Sequence, residues 1–96
     1  MLVYTRPMSE HITTDEAVAR VALSYAALGG GWLRIAAIAE HAGLTPAQTT
    51  EAIQELKDYE DFSATPEPMG WRVTDLDRTY AVTIGGEACH LINWGE

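Results

Sequence analysis

Residues 35–62, IAAIAEHAGLTPAQTTEAIQELKDYEDF, read as two short amphipathic helices joined by a tight turn. Ile35, Ile38 and Ala39 recur at helical spacing, which predicts a helix over residues 34–42 with that face buried. Gly43 follows where a left-handed cap residue closes a helix, and Leu44 is placed to plug the turn. Thr45 then opens the next helix as its N-cap, with Pro46 at the first helical position and Gln48 three residues on as the capping-box partner. Thr49, Ala52, Ile53, Leu56 and Tyr59 fall on one side of that helix and are its expected core face.

Upstream, Thr13 and Glu16 have the spacing of a second capping box, so a helix is expected to begin there. Ten of the twelve residues at 17–28 are apolar, enough for two faces. Val18, Val21, Ala22 and Tyr25 make one, expected in the core. Ala19, Leu23 and Ala26 make the other, a candidate homodimer contact unless Leu2, Val3 and Tyr4 or the final strand cover it. Three glycines at 29–31 end the helix, since glycine adopts left-handed conformations without a Cβ penalty. Trp32 and Leu33 are then expected to re-enter the core.

Downstream of Phe62 the period changes from helical to alternating. Pro66 and Pro68 mark a loop, Trp71, Arg72 and Val73 alternate as a strand, and Leu76 and Asp77 occupy a second turn. Gly85 and Gly86 between residues 79–84 and 87–94 are a two-residue hairpin signal. The expected organisation is one α+β domain over residues 1–96: an N-terminal arm at 1–12, a three-helix core at 13–62, and a β segment at 63–96.

The order of helix, helix, turn, helix and β hairpin, with IAEHAGLTPAQTTEAIQELKDY at its centre, resembles the winged helix-turn-helix superfamily of bacterial and phage regulators. The resemblance covers residues 13–74; a C-terminal hairpin at 79–94 goes beyond the minimal pattern. It implies a fold of three helices followed by a β wing, and a regulatory role. It also implies that the exposed side of the third helix and the wing meet DNA, which makes Gln48, Thr50 and Gln54 the base contacts. Arg34, Arg72 and Arg78 become the phosphate contacts.

Charge opposes that implication. The chain has six Lys and Arg against fourteen Asp and Glu, a net charge of −8, which repels a phosphate backbone at long range. The third helix and the turn after it carry Glu51, Glu55, Asp58, Glu60 and Asp61 against Lys57 alone. Glu51, Glu55, Asp58 and Asp61 are therefore the favoured candidates for contact with a protein partner that presents a basic surface, which such a surface can meet by imitating a DNA backbone. DNA binding is the alternative.

An enzyme is not expected. Cys89 and His90 are neighbours in a strand, so their side chains point to opposite faces and do not converge on one ion or proton. The glycine runs lack the spacing of a phosphate loop, and no zinc-ligand spacing is present, so no cofactor or metal is anticipated. One cysteine and the absence of an apolar run near ~20 residues fit a cytoplasmic chain without a membrane span. Five Arg to one Lys, with fourteen Ala, suggests a GC-rich genome.

Overall fold

A computed structural model describes residues 12–95 as four α-helices and five short strands. Residues 1–11 of the N-terminal arm, with Leu2, Val3 and Tyr4, lie outside the described residues. Helix α1 spans Thr14–Ala27, capped by Thr13, whose Oγ1 accepts from the Glu16 amide at 3.0 Å. The reciprocal half of that capping box is not made. Glu16 instead reaches forward one turn and accepts from Arg20 at 2.9 Å, where a full charge is the stronger partner. At the other end the Gly30 amide bonds back to the Tyr25 carbonyl, which the positive φ of Gly29, Gly30 and Gly31 permits.

Strand β1, Leu33–Arg34, leads directly into α2, Ile35–Ala42. Ile35, Ala36, Ile38 and Ala39 are buried, Gly43 caps the helix at φ 70°, and Leu44 fills the turn. Helix α3 spans Pro46–Leu56 with both capping-box bonds present: Gln48 N–H to Thr45 Oγ1 at 3.1 Å, and Thr45 N–H to Gln48 Oε1 at 2.9 Å. Thr49, Ala52, Ile53 and Leu56 are buried as the periodicity requires. Tyr59 is not, because α3 has ended before it; half exposed, it makes a T-shaped ring contact with Trp94. Trp32, also expected inside, is 53% exposed: it lies in the bend before β1, and Leu33, the first strand residue, packs against the core in its place.

Beyond α3 the structure departs further from the sequence reading. Strand β2, Phe62–Thr65, pairs antiparallel not with the next segment but with β5, Leu91–Trp94, in a sheet of order β1-β5-β2. Between them, residues 66–90 hold a 3₁₀ turn at Gly70–Arg72, a short helix α4 at Asp75–Thr79, and a hairpin of β3, Val82–Ile84, and β4, Glu87–Cys89. The expected strand at Trp71, Arg72 and Val73 is thus mostly a 3₁₀ turn, and the expected turn at Leu76 and Asp77 is a helix. Thr74 caps that helix and Asp77 completes its capping box, a signal that the alternation of Trp71, Arg72 and Val73 obscured. The Gly85–Gly86 hairpin forms as expected, both residues at positive φ. Its second strand breaks at His90, so β4 and β5 belong to different sheets.

The core lies where α1, α2 and α3 meet β5 and β3, around Val21, Ile35, Ile38, Ile53, Leu56, Val82 and Ile92. The end of α1 is tied to β5 through one hydroxyl: Tyr25 Oη donates to the Gly31 carbonyl at 2.7 Å and accepts from the Trp94 amide at 2.9 Å. Trp94 packs within ring-contact distance of Tyr25, Tyr59 and Phe62, so this tryptophan closes the far end of the core. Among the described residues, no helix is long and apolar enough to cross a membrane.

Candidate functional site

The outward side of α3 is defined by what its inward side buries. With Thr49, Ala52, Ile53 and Leu56 inside, Ala47, Glu51 and Glu55 are exposed. Asp58, Glu60 and Asp61 continue the acidic surface into the turn after the helix and are also exposed. Lys57 is held by its neighbour Asp58 at 3.3 Å, an exposed pair that contributes little. Among the described residues, Glu51, Glu55, Glu60 and Asp61 have no ion-pair partner.

The residues proposed for DNA contact are engaged differently. Gln48 serves the helix cap. Gln54 donates to the Thr83 carbonyl at 2.7 Å, which fastens the β3–β4 hairpin beside α3. Thr50 is half buried. Arg78 pairs with Asp75 at 2.8 Å on the surface of α4. Arg72 lies over the ring of Trp71, 6.0 Å from its centroid, and is without an ion pair among the described residues.

Arg34 is the clearest change of role. At the N-cap of α2 its guanidinium forks between two carboxylates, Nη2 to Glu67 Oε2 and Nη1 to Asp77 Oδ2, both at 2.6 Å. The side chains of Glu67 and Asp77 are only 6% and 2% exposed. Asp77 Oδ2 also accepts from the Thr74 amide, and Glu67 Oε1 from that of Met69. The planar fork suits this two-way pairing, and it consumes the charge that a phosphate would need. Asp77, expected in a surface turn, becomes instead a buried clamp for the segment 66–80.

Cys89 and His90 act in the backbone frame. His90 Nδ1 accepts from the Glu67 amide at 3.0 Å, while its carbonyl accepts from Ile35 and its amide donates to Thr65. The imidazole is thus committed to holding the loop after β2. The Cys89 thiol is buried and its pKa is raised, by desolvation first and by the Glu87 charge second. A thiol that ionises less in the folded than in the unfolded chain labels slowly and loses stability as pH rises past the ordinary thiol range. A disulfide exchange reagent at pH 8 should therefore modify the native protein more than about tenfold slower than the urea-unfolded chain. Equal rates would contradict the buried placement. Among the described residues, no three His, Cys, Asp or Glu side chains lie together as a metal-binding group.

The second face of α1 is open: Ala19 and Ala26 are exposed and Leu23 is 73% exposed. The final strand does not cover it, since β5 is the central strand of the sheet. Beside it lies a shallow cleft of about 430 Å³ lined by Arg20, Leu23, Ser24, Ala27, His41 and Ala42, with His41 Nδ1 and Ser24 Oγ hydrogen-bonded at 2.9 Å.

No protein-family model, curated protein or solved structure matches the chain.

Proposed function

We infer that this chain is a small, non-catalytic regulator of winged-helix type that works by binding a protein with a basic surface through the outer side of α3. The fold half of the reading is supported by the antiparallel pairing of β2 with β5 directly after α3. A wing needs an antiparallel pair of this kind, and residues 66–90 would form the long connection between its strands. The binding half rests on one observation. Glu51 and Glu55 stand one turn apart on the exposed side of α3 without an ion pair, whereas Arg20, Arg34, Lys57 and Arg78 are each occupied by a carboxylate.

A duplex is a poor match for such a surface, because phosphate neutralisation provides much of the affinity for DNA. Arg34, Gln48 and Gln54 are already held within the fold. A cationic protein surface is the better match: it gains from carboxylates placed at turn spacing and faces no competing intramolecular pair.

Charge reversal tests the proposal. Glu51→Lys with Glu55→Lys should reduce capture of protein from a nuclease-treated lysate of the source cells by about tenfold or more, the effect of losing two rim attractions. The fold should be unaffected, because both side chains are exposed. If the wild-type chain instead captures only nucleic acid, and the reversed variant binds duplex DNA more tightly with a steeper salt dependence, the surface is a DNA reader and the proposal fails.

A further inference from the structure

We propose that the 3₁₀ turn at Gly70–Arg72 is a second docking point, which seats Trp71 in an apolar pocket rimmed by one or two carboxylates on a protein partner. Trp71 is 83% exposed, the most exposed of the large hydrophobic side chains among the described residues. Met69 and Leu76, close to it in sequence, are also exposed, at 50% and 44%. Tryptophan is the residue type that most often anchors an interface when it enters a desolvated pocket.

The turn that carries it is built to hold one shape. Arg72 and Val73 amides bond back to the Met69 and Gly70 carbonyls at 2.8 and 3.2 Å, closing the turn. Glu67 accepts from the Met69 amide on one side, and the Thr74–Asp77 capping box fixes the other. Arg34 joins both sides by gripping Glu67 and Asp77 at once. A nearly buried ionic clamp that ties together the segments on either side of a solvent-exposed indole lowers the ordering cost that docking would otherwise incur.

Charge decides the kind of partner. In a chain of net charge −8, Arg72 is the one Lys or Arg among the described residues without a carboxylate, and it lies against Trp71. A carboxylate at the rim of the receiving pocket completes it. The acidity of the remaining surface limits that rim to a few charges and disfavours an extended anionic partner such as a bilayer or a nucleic-acid strand.

Selection of a random peptide library on the full chain, with counter-selection on Trp71→Ala, tests this directly. Trp71 is exposed, so the variant keeps its fold, which circular dichroism verifies. The expected winners combine apolar residues with Asp or Glu, bind Trp71→Ala about tenfold or more weakly, lose affinity to Arg72→Glu, and bind Glu51→Lys/Glu55→Lys as well as wild type. That last result separates this site from the α3 surface, so either proposal can fail alone. The assignment is overturned if nothing is enriched or if the winners are basic. It is also overturned if anionic phospholipid vesicles or a single-stranded oligonucleotide shift the Trp71 indole resonance in place of peptide.

Discussion

Arg34→Met is expected to lower the stability of the domain by about 3 kcal/mol, the cost of leaving buried carboxylates without their cation. Glu67 and Asp77 are almost wholly buried, and each is 2.6 Å from the guanidinium. Once it is gone, the Met69 and Thr74 amides are the donors that remain to these carboxylates, one each. The figure sits at the lower end for a buried pair because the Arg34 side chain is itself 30% exposed, so water reaches part of the site. In a domain of this size, the loss corresponds to a fall in melting temperature of roughly 12–24 °C. The triple variant Arg34→Met, Glu67→Gln, Asp77→Asn should recover most of it, because no charge is then stranded. A single-variant loss below about 1 kcal/mol would show the clamp to be an ordinary surface pair.

Ile53→Ala should cost a similar or larger amount, about 3–4 kcal/mol, by removing buried methyl groups and leaving a cavity that the helices cannot close. Ile53 is 1% exposed and lies in the cluster that joins α1, α2, α3 and β5. Against a total stability of about 5–15 kcal/mol, this removes a large fraction. Leu23→Ala removes similar atoms from a site that is 73% exposed and should change stability by less than about 0.5 kcal/mol. Urea titration of both variants checks the pair. Equal losses would mean that the outer side of α1 is covered in solution, and light scattering would then show whether a second copy covers it.

The acidic side of α3 was legible from sequence because a helix of known phase sorts its residues by spacing alone. Once Ile53 and Leu56 are inward, Glu51 and Glu55 must be outward. The fate of the cations was not legible. Arg34 finds Glu67 and Asp77 across 33 and 43 residues, and Gln54 finds Thr83 across 29. Nothing in the spacing of residues marks such partners. Trp71 misled for a different reason: Trp, Arg and Val in succession imitate a strand, whereas the Arg72 and Val73 amides bond back to the Met69 and Gly70 carbonyls and close a turn.

What the amino-acid order alone determined are the features whose bonds close within a few residues. These are the Thr13 and Thr45 caps, the Gly43 termination, the Gly85–Gly86 turn and the buried stripe of each longer helix. Tertiary structure alone decided the pairing in the three-stranded sheet, since β5 inserts between β1 and β2 through contacts that local propensity does not rank. It also decided which charges remain available to a partner. An ion pair forms where the fold brings two side chains together and excludes water, and that depends on the whole chain at once.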